Sequence, residues 1–204
     1  MPKTNQDLHG GAPDQSSVVL LLIDVINDLE FAGGDRLQRY AQPAAEKIAA
    51  LKRRAKKQGI PTIYVNDNFG RWQSDFQKQV RHCLEDGVRG EAIARLLSPE
   101  EEDYFVLKPK HSGFFSSSLD ILLRYLGAET LILTGFAGNL CVLYTANDAY
   151  MRDFRLIVPG DCIASETLQG NHYALDQMKR FLKADVRVSP QIKLATLKPS
   201  PTPA

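Results

Sequence analysis

The chain has 204 residues, 44% of them hydrophobic, and its 25 Lys+Arg against 24 Asp+Glu leave a formal net charge of +1. That is one domain with a sizeable core, and it excludes the large basic field that a nucleic-acid partner requires. No apolar run approaches the ~20 residues of a membrane span. The three cysteines (Cys83, Cys141, Cys162) make an odd count without metal-ligand spacing, which fits a reducing cytoplasm. Residues 1–17 are polar and lack an apolar h-region, so they read as a flexible arm rather than a signal peptide. Residues 191–204, with prolines at 199, 201 and 203, read as a tail.

Val18 to Ile23 is a continuous apolar run ending at Asp24, the pattern of a central parallel strand buried on both faces. Pro43 to Gln58 is an amphipathic helix, with Ala44, Ile48, Leu51 and Ala55 on one stripe and Gly59 as its stop. Its basic end, Lys52-Arg53-Arg54 with Lys56-Lys57, reads as a solvated terminus that complements the helix dipole. Pro61 to Asn66 is the second strand. Ser74 to Leu97 is helical with a break at Asp86-Gly87, and its His82 and Cys83 read as structural. An acidic, solvated loop follows over Ser98 to Asp103. Tyr104 to Leu107 is the third strand, closed by Lys108. Ser116 to Ser118 cap a helix whose Leu119, Leu122, Leu123 and Leu126 face inward, and Gly127 ends it. Leu131 to Leu133 is the fourth strand, Arg155 to Val158 the fifth and Asp185 to Val188 the sixth, with a helix over Asn171 to Lys183. Strands alternating with helices predict a three-layer α/β/α fold: a doubly wound, Rossmann-like, six-stranded parallel sheet.

After the fourth strand, Thr134, Gly135 and Gly138 break the pattern, and helical spacing begins at Leu140. A strand that turns through glycines into a helix presents backbone N–H groups and a positive dipole end at the turn. Cys141 falls in the first turn, where a thiolate is stabilised beside a ready oxyanion hole. A small buried cysteine in a core helix is the competing reading, and this stretch alone does not separate the two. Asp24 and Lys108 also close apolar strands, at the edge where open α/β sheets place their sites. Each alone has a plain alternative, a helix-capping Asp and a solvated Lys. His111 offers a competing Cys–His pair.

The segment Gly135-Phe136-Ala137-Gly138-Asn139-Leu140-Cys141-Val142, followed by Thr145-Ala146 and Asp148-Ala149, resembles the nucleophile segment of the isochorismatase-like cysteine hydrolases. Nicotinamidases and several other amide hydrolases belong to that superfamily. Asp24-Val25-Ile26-Asn27-Asp28-Leu29-Glu30-Phe31 resembles its Asp-x-x-Asn-Asp-x-Phe signature, with one extra residue before the Phe. Lys108-Pro109-Lys110-His111-Ser112-Gly113-Phe114 resembles its Lys-x-x-x-Ser-x-Phe segment. The resemblance covers about residues 18–190, the expected folded domain. It implies a catalytic triad of Asp24, Lys108 (rather than Lys110) and Cys141. It also implies a cis Phe136–Ala137 peptide, with the N–H groups of Ala137 and Cys141 as oxyanion hole. Asn27 and Asp28 are expected to shape their loop. Gly138-Asn139 departs from the Thr and acidic residue of many relatives, and a homo-oligomer is implied because dimers to octamers occur in the family.

Metal-dependent nicotinamidases carry Asp-x-His at the position of residues 67–69, followed by a further His. Here Phe69 stands in place of that His and none follows until His82. The resemblance therefore implies no metal, and no other cofactor is expected. Phe31, Phe69, Trp72 and Phe136 are candidate walls of an apolar pocket, with Trp72 alternatively a core or interface aromatic. The expected function is a cytoplasmic, metal-independent cysteine hydrolase that cleaves a small amide-like substrate through a thioester. Partners other than small molecule and like subunits, whether nucleic acid or membrane, are not expected. Three rivals stand beside it: an isochorismatase-type vinyl ether hydrolase using Asp24 as acid, a catalytically inactive scaffold, and a redox-sensing thiol.

Overall fold

The protein is described here by a computed structural model covering residues 15–70 and 75–197. Most of the expected N-terminal arm, Trp72 and the last residues of the expected tail lie outside the described residues. Six parallel strands form one sheet: β1 (Val18–Ile23), β2 (Thr62–Asp67), β3 (Tyr104–Lys108), β4 (Thr130–Phe136), β5 (Arg155–Ile157) and β6 (Ile163–Ala164). Their order is β3-β2-β1-β4-β5, and β6 pairs with the carboxyl end of β4 through Gly135↔Ile163 and Phe136↔Ala164. The helices are α1 (Gly34–Lys57), α2 (Phe76–Glu85), α3 (Glu91–Leu96), α4 (Leu119–Leu126), α5 (Leu143–Tyr150) and α6 (Leu168–Phe181). The α/β class and the parallel six-stranded sheet are as expected.

All six side chains of β1 are buried, and they divide by the two-residue period of a strand. Val18, Leu20 and Leu22 pack with Leu37, Ile48, Phe76 and Ile93 beneath α1, α2 and α3. Val19, Leu21 and Ile23 pack with Leu119, Leu123, Ala146 and Met178 beneath α4, α5 and α6. Each such aliphatic side chain contributes roughly 1.5–3 kcal/mol of burial, which is why a strand covered on both faces reads as an unbroken apolar run.

The structure differs from expectation in several places, α6 among them, which begins at Leu168 rather than Asn171. α1 begins at Gly34 rather than Pro43 and carries Pro43 in its interior. An interior proline costs about 3 kcal/mol when its carbonyl partner is stranded, but Pro43 faces solvent. Buried Leu37 and Ala41 extend the apolar stripe and hold the extra turns. The sixth strand is Ile163–Ala164, not Asp185 to Val188, of which only Asp185 bridges Ile157. The Asp185 carboxylate accepts from the Arg187 N–H at 3.1 Å and turns the chain off the sheet. Finally, the basic end of α1 is not simply solvated. Lys52 is buried, donates to Asp103 at 2.6 Å and to the Tyr64 hydroxyl at 3.1 Å, and so ties α1 to the acidic loop. Arg54 donates to the Ser189 carbonyl at 2.8 Å, and Ile192 and Leu194 are buried in the α1-side core, so the packed chain continues beyond residue 190. No helix among the described residues is long and apolar enough to cross a membrane.

Gly135, near the end of β4, has φ +112, and a Cβ there would sit 2.0 Å from the Ile23 carbonyl oxygen of β1. Gly127, at the end of α4, also has a positive φ (+70) but open space around it. Gly135→Ala is therefore expected to lose about 3–5 kcal/mol in urea denaturation, against about 1 kcal/mol for Gly127→Ala. Equal losses would show that the β1–β4 approach is not the constraint.

Candidate active site

Parallel strands end at a common edge, and register decides which side chains meet there. Asp67 and Lys108 are register partners at the ends of β2 and β3, while Ile23 pairs with both Val65 and Gly135. The two-residue period puts Lys108 on the same face as Val106, and Asp67 on the same face as Val65, above α4 and α5. Regular continuation of β1 sends residue 24 to the opposite face, with Leu22. Asp24 instead adopts a left-handed φ of +52, a conformation uncommon outside glycine and frequent at functional sites. Its carboxylate is thereby brought to Lys108.

The result is a buried cluster. Lys108 Nζ lies 2.8 Å from Asp24 Oδ2, 3.5 Å from Asp67 Oδ2 and 3.7 Å from Cys141 Sγ. Lys108 is fully buried, Asp24 and Cys141 nearly so. Asp24 Oδ1 also accepts the Asp67 N–H at 2.7 Å. Asp24, Lys108 and Cys141, far apart in sequence, are thus in contact. Asp67 joins them; sequence reasoning had weighed it only as half of an absent metal motif, although its place at a strand end beside Lys108 was a usable signal.

Cys141 sits in one π-helical turn, Gly138–Val142, that leads into α5. Such turns recur at functional sites. The peptide between Phe136 and Ala137 is cis, and the N–H groups of Leu140 and Val142 both donate to the Ala137 carbonyl at 3.1 Å. Thr145, fully buried, donates to the Cys141 carbonyl at 2.7 Å and accepts the Gly113 N–H at 2.9 Å, clamping the cysteine turn to the segment that follows Lys108. From the other side, Ser165 accepts the Asn139 N–H at 3.0 Å and donates to Asn171 at 3.0 Å. Gly138 has no room for a side chain here, since a Cβ would lie 2.5 Å from Asn171 Oδ1. That is a local reason for the Gly138-Asn139 pair.

Burial sets the proton balance. It pushes the Cys141 thiol well above the ordinary range, the Asp24 carboxylate adds to the shift, and Lys108 opposes it. Burial also raises the Asp24 carboxyl, against the pull of Lys108. Burial works against the charge on Lys108, but Asp24, Cys141 and Asp67 outweigh it and raise its pKa. At rest the site therefore holds an ammonium and keeps the proton on sulfur. The expected thiolate-stabilising turn is overridden by desolvation.

The remaining candidates fall elsewhere. Phe136 is buried in the α1-side core, whereas Cys141 belongs to the core on the other face, so it is not a wall beside the sulfur. Phe31 and Phe69 are exposed; Phe69 has φ +53, and its N–H donates to Asp67 Oδ1 at 2.6 Å. Asn27 and Asp28 shape their loop by accepting the Leu29 and Glu30 N–H groups. His82 bridges Asp28 and Asp86 at 3.2 and 2.7 Å. His111 is exposed against Tyr144, their rings 5.6 Å apart, rather than serving the sulfur as Lys108 does. Among the described residues no group of three or more His, Cys, Asp and Glu could hold a metal ion. An ammonium 3.5 Å from Asp67 is itself a poor neighbour for a divalent cation. A groove of about 340 Å³ between α1 and α6, lined by Tyr40, Lys47, Leu168 and His172, contains none of these cluster residues.

Comparison with known proteins gives a consistent picture. Residues 18–187 match the family model described as Isochorismatase domain. An isochorismatase family protein of Bacillus subtilis (strain 168) is 40% identical over 173 residues, covering 85% of this chain and 94% of that protein. A ureidoacrylate amidohydrolase of Methylorubrum extorquens is 30% identical over 175 residues, covering 72% of this chain and 70% of that one. The crystal structure of N-carbamoylsarcosine amidase from Thermoplasma acidophilum superposes with a TM-score of 0.68 at 26% identity, covering 87% of this chain and 99% of that one.

The electrostatics make two checkable statements. Asp24→Asn removes a negative charge that raises the thiol while Lys108 remains, so thiolate absorbance is expected to show Cys141 titrating at lower pH than in wild type. Lys108→Met strands the Asp24 carboxylate, with an expected stability loss of about 3–5 kcal/mol near pH 8. The loss should shrink toward pH 5. A carboxyl whose folded pKa is raised stabilises the fold below that pKa, once it takes its proton, and that contribution disappears as pH rises. A loss that grows on acidification would contradict the assignment.

Proposed function

The chain belongs to the isochorismatase family of hydrolases, and on that premise we propose that it is a metal-independent cysteine hydrolase of small amide-like substrates. The observation that carries the reading is the ammonium of Lys108 set between the Asp24 carboxylate and the Cys141 sulfur, at 2.8 and 3.7 Å. Asp24 takes the thiol proton as substrate enters, and the thiolate attacks the amide carbonyl. Lys108, always charged, lowers the energy of the thiolate as it forms. The N–H groups of Ala137 and Cys141 receive the oxyanion of the tetrahedral intermediate. Asp24 then passes its proton to the departing amine, leaving a thioester on Cys141. It next draws a proton from water, whose oxygen attacks the thioester and releases the acid and the thiol. The sulfur is protonated at rest, so the nucleophile is generated only with substrate in place and Asp24 acting as base.

The ureido and carbamoyl groups in the names of the two relatives' substrates support a carbamoyl or amide carbon as the reacting centre. The phenylalanine at position 69 in place of a metal-ligating histidine supports metal independence. Three free cysteines support a reducing compartment, and the enzyme is read as a cytoplasmic homo-oligomer acting on a small molecule. One observation favours a second reading. A carboxyl raised by burial, as Asp24 is, also suits a proton donor to a vinyl ether, a reaction that does not need Cys141.

Cys141→Ala is expected to lower ammonia release from small primary amides by at least about 10³-fold, and Asp24→Asn by about 10²–10⁴-fold. Acid-quenched wild type under turnover should carry an acyl adduct on the Cys141 peptide in mass spectrometry. Full activity in Cys141→Ala would remove covalent catalysis and leave the vinyl ether reading.

A further inference from the structure

Asp67 is the one member of the cluster that meets solvent appreciably: its side chain is 26% exposed, against 8% for Asp24 and 0% for Lys108. Its two oxygens have different tasks. Oδ1 accepts the Phe69 N–H at 2.6 Å, closing a tight turn that fixes the carboxylate. Oδ2 makes a long 3.5 Å approach to Lys108, whose closer partner is Asp24 at 2.8 Å. The charges that act most on Cys141 are those of Asp24, Lys108 and Asp67. Asp67 is thus an exposed carboxylate 3.5 Å from the same Nζ that lies 3.7 Å from the Cys141 sulfur.

We propose that Asp67 is a specificity-determining residue that selects amides carrying a positively charged group beside the scissile carbonyl and disfavours amides carrying a carboxylate there. The inference deepens the amide hydrolase reading and rests on it. A substrate whose acyl carbon reaches Cys141 has to come in from solvent, and Asp67 is the most exposed charged member of the cluster it meets there. In that half-dry setting an opposite charge is favoured and a like charge is repelled more strongly than in bulk water. Lys108 does not cancel the effect, because it lies deeper and is matched by Asp24.

The test uses thiol-directed probes of the same reactive group and opposite charge on the full chain, read at the Cys141 peptide. Aminoethyl methanethiosulfonate is cationic and sulfonatoethyl methanethiosulfonate anionic; both transfer their thioalkyl group to the thiolate with release of methanesulfinate. Each rate is divided by that of a free small thiol and by that of the neutral methyl reagent on the same variant. The expected cation-to-anion ratio exceeds one in wild type, falls at least about fivefold in Asp67→Asn, and is restored in Asp67→Glu. Asp67→Ser is the second neutral variant, since its hydroxyl still accepts the Phe69 N–H should the amide disturb the turn. A ratio unchanged in both neutral variants, or a wild type that favours the anionic reagent, would overturn the proposal. Turnover of primary amides reports on the parent reading separately. Turnover with a flat ratio removes only the role of Asp67, and a charge-selective Cys141 without turnover removes the hydrolase.

Discussion

A fully buried ammonium is the constraint around which this structure is arranged. Taking Lys108 out of water carries a penalty of several kcal/mol, and only carboxylates at contact distance in a low-dielectric setting offset it. Asp24 at 2.8 Å and Asp67 at 3.5 Å do so. Both reach Lys108 because β1, β2 and β3 are parallel and end together, with Asp67 and Lys108 as register partners. The left-handed turn at Asp24 is intelligible in the same terms. Its strain is of the order of 1–3 kcal/mol, less than an unpaired buried charge would cost.

The nucleophile turn is held against that ion pair from two directions. Thr145 joins the Cys141 carbonyl to the Gly113 N–H, and Ser165 with Asn171 braces the Gly138-Asn139 backbone. Gly135 lets β4 pass close to β1, with the Ile23 carbonyl where a side chain would otherwise be. These contacts are backbone and hydroxyl contacts on packed elements, and together they fix the turn that carries the sulfur. The same enclosure that positions Cys141 also desolvates it, which is why its thiol is raised; the proposed mechanism accordingly gives its activation to Asp24.

The two faces of the sheet divide the labour. The side under α4, α5 and α6 carries the cysteine and the end of Lys108, while the side under α1, α2 and α3 is structural. Lys52 illustrates the second: a buried lysine paired with Asp103 and bonded to Tyr64, far from the reacting groups. Buried charge by itself is therefore not a mark of catalysis in this chain. Contact with the Cys141 sulfur at the carboxyl edge of the sheet is what distinguishes Lys108 from Lys52.

Much was legible in the residues alone. Unbroken apolar runs marked β1 and β4 because strands covered on both faces have no polar side to show. Asp24 and Lys108 were visible because each closes such a run, and Cys141 because it follows the glycine turn into a helix; the family resemblance joined the three. What was not legible depended on pairing. Asp185 to Val188 has strand-like composition but turns away through a side-chain hydrogen bond, whereas the two-residue β6 is too short to leave a periodic trace. Pro43 looked like a helix start, since propensity is local and the tertiary burial of Leu37 and Ala41 is not. Phe136 looked like a pocket wall, since sequence does not say to which face a strand's last side chain turns. The sign of the thiol shift, and the presence of Asp67 beside Lys108, were decided only when strands distant in sequence aligned in register. The sequence by itself determined the class of fold, which follows from local pattern, and pointed through a family resemblance to Asp24, Lys108 and Cys141. Tertiary structure alone decided which charges face one another and how dry they are, because desolvation and Coulomb energy depend on distances between segments that no local pattern encodes.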